Sequence, residues 1–451
     1  MGNGSNTQTN TNQQTNNQVV ALTAGTVTPH YPAYIETATR MGDTTVGSTT
    51  VPLWTLSFLG VRFRSGINAI LADKLIDAQR NLFNLFCAVQ NITDRLNVQE
   101  NDFKLWCWYG QEPVGSDPAN LSKIQPHVGL KDKKNPNSRH FSGSALDINL
   151  EFNPFIAGRT GNSVYGETHD TFPDSLVKTL AGLTDTELNS YTQSRQPDAG
   201  PLQPDSLKNR IRAAKMKFWT DHIWAPAIAV VDHAVQLFYN EDKADLHDVT
   251  LDPNRHKEIN LHYNRFSRAS QAVRWYIGLP YNYLGDRSKH AVVQPDVVAQ
   301  TLQTYLAQSQ IHPDAKDMDG VPLKTSLAAN PNAVAKKFMD RIVVEHEILR
   351  LVMVNGSCQI SADGKVSAPF SRDPCNGFLN LRPEIVAELS GGDFGDKVIT
   401  VGQKLRWGCC MFGPGPDSSG DVMHFDLWTA FGNGGIATAA LNRHPGTLPE
   451  L

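Results

Sequence analysis

The chain has 451 residues, with 41 Lys plus Arg against 45 Asp plus Glu and 40% hydrophobic residues. That apolar share suffices for one large core or for two or three ordinary domains, and it excludes a coiled coil, a collagen-like chain or wholesale disorder. A formal charge of −4 argues against nucleic acid as a partner, since phosphate binding leaves a basic stripe and the densest basic stretch, Lys131 to Lys134, is short and carries Asp132.

In chain order, residues 1–18 are nearly all Asn, Gln, Thr, Ser and Gly. They cannot bury apolar surface and are expected to form a disordered polar tail. They also lack the basic start and apolar run of a secretory signal. No stretch reaches the roughly 20 apolar residues of a membrane helix, so no membrane span is expected. Residues 19–65, rich in Thr, Val, Gly and Tyr, read as extended segments and turns. From Ile67 to Ile92 the apolar positions Leu71, Leu75, Ala78, Leu82, Leu85, Phe86 and Val89 make one helical stripe. Phe103 to Tyr109 reads as a strand, a Pro, Gly and Lys loop runs to Asn137, and Ser144 to Phe152 reads as a second strand.

Between Pro154 and Leu405 the pattern is mainly helical, with runs at Leu207–Tyr239, His262–Ile277, Pro295–Gln308 and Asn332–Val354. Asn330-Pro331-Asn332 is a helix-start signal. Val398 to Trp428 returns to strand-like alternation. The expected organisation is therefore α+β: residues 19–157 and 401–451 as two parts of one domain, the latter with a C-terminal tail, interrupted by a helical insertion over 158–400. The six cysteines, Cys87, Cys107, Cys358, Cys375, Cys409 and Cys410, make no CxxC pair and no disulfide framework. Cys358 and Cys375 could pair under oxidising conditions, or all six could be buried thiols.

Two segments carry candidate chemistry. Ser138 to Asn149 reads SRHFSGSALDIN, with His140 and Asp147 either side of Gly143. A turn at Gly143 returns the chain so that both side chains face one point. Strand alternation then puts Ala145, Asp147 and Asn149 on one face and Leu146, Ile148 and Leu150 on the other. Gly420 to Trp428 reads GDVMHFDLW, where His424 shares a face with Val422, Asp426 and Trp428. Two imidazoles and one carboxylate with an open fourth position make a ligand set suited to catalytic zinc. Asp421, three residues before His424, is placed to take a proton from water. His256, His262 and His346 read as ordinary satisfied histidines, and no HExxH, GxSxG or GxxxxGK[ST] motif occurs.

Together the two segments resemble the D-alanyl-D-alanine carboxypeptidase family of zinc peptidases, which includes the L-alanyl-D-glutamate endopeptidases of phage lysins. The pattern Ser-x-His-x-x-Gly-x-Ala-x-Asp is met by Ser138, His140, Gly143, Ala145 and Asp147, followed by Ile148, Asn149 and Asn153-Pro154. The second element, an acid, two residues, then His-Phe and an acid, is met by Asp421, His424, Phe425 and Asp426, after Trp407-Gly408. The resemblance covers about 67–154 and 405–428. It implies a small, mainly antiparallel sheet carrying zinc on His140, Asp147 and His424, with Asp421 as general base. It also implies hydrolysis of a peptide bond in the peptidoglycan stem, as a carboxypeptidase or endopeptidase. Asp426 stands where Glu is more usual. The substrate-steadying Arg of the family is missing where Trp108-Tyr109-Gly110-Gln111 stands, leaving Gln111, Ser138 and Arg139 as candidate substrate contacts.

Three readings follow. The chain is a wall hydrolase, either a phage lysin or an antibacterial toxin loaded onto a secretion machine and partnered by an immunity protein. It would then be made in the cytoplasm and act at the wall or periplasm after lysis or delivery. Alternatively it keeps the zinc site as a binding or structural module without turnover, or it cleaves a non-wall peptide with specificity set by the insertion.

Overall fold

The computed structural model describes residues 31–63, 66–108, 128–129, 139–148, 153–156, 172–193, 206–241, 259–282, 291–354, 359–367, 371–390, 405–408, 420–427 and 445. The polar tail at 1–18 lies outside them. After a single helical turn, α1 (Ala33–Glu36), a hairpin of β1 (Ala38–Val46) and β2 (Thr49–Phe58) is extended by β3 (Val61–Arg62). Val51, Leu56 and Phe58 of β2 are buried, and Trp54 exchanges backbone hydrogen bonds with Ile67, which brings the hairpin to the start of α2 (Ala69–Val89).

Helix α2 is capped by Asn68, whose side-chain oxygen accepts from the Leu71 amide at 3.0 Å. Its core face includes Leu71, Leu75, Ala78, Leu82 and Phe86, as the stripe predicts, but also Ile76 and Phe83. Leu85 and Val89, at the edge of that stripe, stay exposed. Phe83 takes the space instead, meeting Tyr34 of α1 and Phe103 edge-on.

The segment predicted as a strand at 103–109 is a helix, α3 (Glu100–Trp108). Its aromatic residues suggest β propensity, yet Phe103 and Cys107, four apart, are both fully buried, which is a helical spacing. Glu100 and Asp102 sit in the first turn, where carboxylates favour the helix N-terminus. Trp108 donates from its indole to the Leu59 carbonyl at 2.9 Å and so locks the helix to the β2–β3 turn.

The next strands are β4 (Val128–Gly129), β5 (Ala145–Ile148) and β6 (Phe155–Ile156). A helical stretch follows with α4 (Asp174–Ala181), α5 (Asp185–Gln193), α6 (Leu207–Trp219), a π-helical turn at Thr220–Trp224, α7 (Ala225–Tyr239) and α8 (Ile259–Gly278). A short pair, β7 (Tyr281–Asn282) and β8 (Ala291–Val292), leads to α9 (Pro295–Ala307), α10 (Leu323–Ala329) and α11 (Pro331–Arg350). The chain then makes β9 (Met353–Val354), the hairpin of β10 (Gln359–Ile360) and β11 (Val366–Ser367), a 3₁₀ turn at Pro374–Asn376 and α12 (Pro383–Ser390). It closes with β12 (Arg406–Trp407), β13 (Gly420–Asp421) and β14 (His424–Asp426).

The architecture is α+β, with small antiparallel sheets. One sheet has the order β12-β14-β5-β4, and another the order β13-β6-β9. The second joins strands from three distant stretches of chain. Helix α12 packs on α2, where Asn81 donates to Glu388 at 2.9 Å, and Arg382 donates to the Trp106 carbonyl at 2.8 Å. Asn153, just before β6, donates to the carbonyls of Ile148 and Asn380, and its own side-chain oxygen accepts the Asn380 amide. Residues of the helical stretch and of β5 and β14 accordingly share one hydrophobic core. Among the described residues no helix is long and apolar enough to cross a membrane.

Candidate metal centre

The turn at 139–143 presents His140. The Gly143 amide donates to the His140 carbonyl and the Ser144 amide to that of Arg139, closing the loop just before β5. Gly143 has φ +66°, and a Cβ there would lie 2.7 Å from the Asn68 nitrogen and 2.9 Å from Leu53 Cδ2. Only glycine allows this left-handed turn to press against the start of α2. The contact is reinforced from both sides: the Asn68 amide donates to the Gly143 carbonyl, and the Asn68 side chain donates to the Ser142 carbonyl and to Ser144 Oγ. The cap of α2 thus doubles as the clamp of the His140 turn.

Strand β5 carries Asp147, and β14 carries His424 directly opposite it, with Phe425 against Leu146 and Asp426 against Ala145. Leu146, Ile148 and Phe425 point into the core, as alternation predicts. The other face is covered as well, so Ala145, Asp147, His424 and Asp426 are all buried. Trp407 of β12 stacks on Phe425 and donates to the Val422 carbonyl at 2.8 Å, which fixes the approach to β14.

Three donor atoms converge. His140 Nε2 lies 3.1 Å from His424 Nδ1, His424 Nδ1 lies 3.1 Å from Asp147 Oδ1, and His140 Nε2 lies 3.4 Å from Asp147 Oδ1. Each ring nitrogen carries at most one proton and an ionised carboxylate carries none. No placement of those protons satisfies all three contacts. A cation between the three atoms would satisfy them together. A tetrahedral ion with bonds of about 2.0–2.2 Å sets its ligand atoms roughly 3.3–3.6 Å apart, within a few tenths of an ångström of this triangle. These residues could hold a metal ion.

Behind His424 stands Asp426. Its Oδ2 is 3.6 Å from His424 Nε2 and 3.1 Å from Arg139 Nε, and its side chain is fully buried. Arg139 also donates from Nη1 to the Leu427 carbonyl. A carboxylate on the far nitrogen of a ligating histidine fixes the ring's orientation and raises its basicity. Arg139, considered as a substrate contact, instead spends these donors on Asp426 and on the end of β14.

Asp421 lies on β13, paired with Phe155 of β6, and its side chain lies outside the described residues. Ser138, Gln111 and Cys358 lie outside them too. The position of Asp426 beside His424 was signalled by its i+2 spacing and by its place in the His-Phe-acid element. A second group of side chains that could hold a metal ion, His346, Asp373 and Cys375, was not anticipated. The Asp373-Pro374-Cys375 run was its one visible sequence cue. No protein-family model matches the chain, and comparisons with curated proteins and with solved structures return no relative.

Proposed function

We propose that the chain is a zinc-dependent peptidase acting on the peptidoglycan stem. The observation that carries this reading is the triangle of His140 Nε2, Asp147 Oδ1 and His424 Nδ1, whose edges suit a tetrahedral ion and whose three contacts no placement of protons satisfies together. Two imidazoles and a single carboxylate favour zinc over magnesium or calcium. Bound there, zinc would supply Lewis acidity toward a peptide carbonyl and acidify water near neutral pH.

The chain's own residues would do the rest. Asp421 accepts a proton from the attacking water and returns it to the leaving amine. Asp426, braced by Arg139, stands 3.6 Å behind His424 Nε2, where it would orient the ring. Ser138 and Gln111 are the remaining candidates for gripping substrate. An Asp base resembles the endopeptidase members more than the carboxypeptidases, so the expected bond is L-alanyl-D-glutamate or a cross-link. A lysin, or a toxin delivered by a machine and restrained by an immunity protein, is the matching context.

Purified sacculi incubated with the zinc-loaded protein, followed by mass analysis of released fragments, test this reading. Release of stem fragments ending at one defined bond supports it. Intact sacculi alongside a zinc-loaded, folded chain overturn wall hydrolysis and leave a binding module or a peptidase of other peptides.

A further inference from the structure

Far along the chain from His140 and Asp147, a second set of ligating atoms meets where α11, the 3₁₀ turn at Pro374–Asn376 and α8 come together. His346 Nε2 of α11 lies 3.2 Å from Asp373 Oδ1, and its Nδ1 lies 3.1 Å from Glu347 Oε1. Cys375 is fully buried, its sulfur 3.9 Å from the Ile277 carbonyl at the end of α8. One ligand atom each from His346, Asp373 and Cys375 falls within 4.8 Å of the others.

The protons at His346 are informative. A neutral imidazole has one N–H. If Nδ1 donates it to Glu347, the Nε2 lone pair faces the Asp373 carboxylate at 3.2 Å. An imidazolium or a metal cation resolves that opposition. A cation at Nε2 would also gather the Asp373 carboxylate and the Cys375 sulfur, both of which offer a ligand atom within 4.8 Å. Glu347 then takes the part that a carboxylate commonly plays behind a ligating histidine.

The turn is also built to hold its ligands still. Asp373 Oδ1 accepts the Cys375 amide at 2.9 Å. Two residues beyond Cys375, Gly377 adopts φ +66° with no room for a Cβ against Ser270 of α8. The Ser270 hydroxyl accepts the amides of Phe378 and Leu379, each at 2.8 Å. Cys375 and Asp373 are therefore fixed to α8, while His346 arrives from α11.

We infer that His346, Asp373 and Cys375 form a second metal site, one that takes a thiolate-preferring divalent ion of the zinc class and pins α11 to α8. Thiolate with imidazole selects zinc-like ions over magnesium and calcium. The site is structural. Arg372, next to Asp373, donates its amide to Met353 of β9 at 2.7 Å, and β9 pairs with β6, the partner of the Asp421 strand. The site stands independently of the peptidase proposal.

Cobalt(II) replacement in the reduced full chain tests it, because a thiolate ligand gives a charge-transfer band that a His, Asp, His set cannot give. The expected result is two cobalt ions per chain, with the thiolate band kept in a His140→Ala/His424→Ala variant and lost in Cys375→Ser. Should Cys375→Ser fail to fold, His346→Gln and Asp373→Asn are expected to weaken the band-forming site at least tenfold. A reduced parent chain that takes up cobalt without the band overturns the inference. So does a band that persists undiminished in Cys375→Ser, or one whose cobalt affinity is unchanged in both substitutes.

Discussion

His424 and Asp147 face one another across adjacent antiparallel strands, Nδ1 to Oδ1 at 3.1 Å, although 277 residues separate them in the chain. Strand pairing alone brings these two donors together, and the Gly143 turn adds His140. Removing either imidazole should therefore empty the centre without dismantling the sheet. His140→Ala and His424→Ala are each expected to lower the zinc content by about one ion per chain. Elemental analysis of purified protein checks this, and parental zinc in both variants would mean that the ion binds elsewhere.

Asp421 separates chemistry from metal binding. Asp421→Asn keeps the side chain's size and removes the proton acceptor. Zinc content should stay at the parental level while hydrolysis falls by roughly 10²-fold or more. Equal cleavage rates for parent and variant would move the search for a base to another carboxylate.

Asp426 has two dependants, the His424 ring and the Arg139 guanidinium. Asp426→Ala leaves Arg139 without this buried partner, and breaking such a pair costs about 3–5 kcal/mol. It should also weaken zinc binding by about 10–100-fold, the usual cost of losing a carboxylate behind a ligating histidine. Asp426→Glu, which keeps the charge, should recover part of both losses. Urea unfolding and competitive zinc titration read the two effects separately. A variant that unfolds more easily yet binds zinc at parental affinity would restrict Asp426 to packing.

Gly143→Ala puts a Cβ 2.7 Å from the Asn68 nitrogen at a residue with φ +66°. The strain should cost about 1–3 kcal/mol. Because Asn68 caps α2 and also clamps this turn, zinc affinity and thermal stability should fall together. A variant with unchanged melting temperature would show that the turn can shift to accommodate the methyl group.

His233 of α7 provides a pH test outside the metal sites. Burial, with a smaller effect from Arg341, lowers its pKa from 6.5 to about 4, and its ring packs edge-on against Tyr276. Well above pH 6.5 neither the folded nor the unfolded chain protonates this residue. As pH falls below that value the unfolded chain gains a proton that the folded chain refuses, and stability drops until about pH 4. The loss attributable to His233 between pH 7 and pH 5 is about 2 kcal/mol. His233→Phe should remove that much of the pH dependence of urea unfolding, and an unchanged dependence would contradict the assignment.

Local signals made much of this readable in the sequence. The 3.6-residue repeat outlined α2, and alternation assigned the faces of β5 and β14. The Gly143 turn was visible because small residues cluster around a glycine between two candidate ligands. What stayed hidden depends on long-range packing. The aromatic run at 103–108 looks like a strand until Phe83 and Phe86 are known to receive it. Leu85 and Val89 fit the stripe by periodicity, yet no neighbour among the described residues buries their side of α2. His346 looked ordinary between two glutamates, because Asp373 and Cys375 reach it only through the way α8 and α11 dock.

The distance along the chain between Asp147 and His424 also has a temporal meaning. At roughly 5–20 residues per second of synthesis, the nascent polypeptide carries His140 and Asp147 for about 15–55 s before the last donor is made. During that interval the β14 partner of β5 does not exist, and neither does the closed triangle. A ribosome-bound or prematurely terminated product therefore has two donors and no third. Under the peptidase reading, any copy that stops before His424 is harmless by the order in which the polypeptide is written.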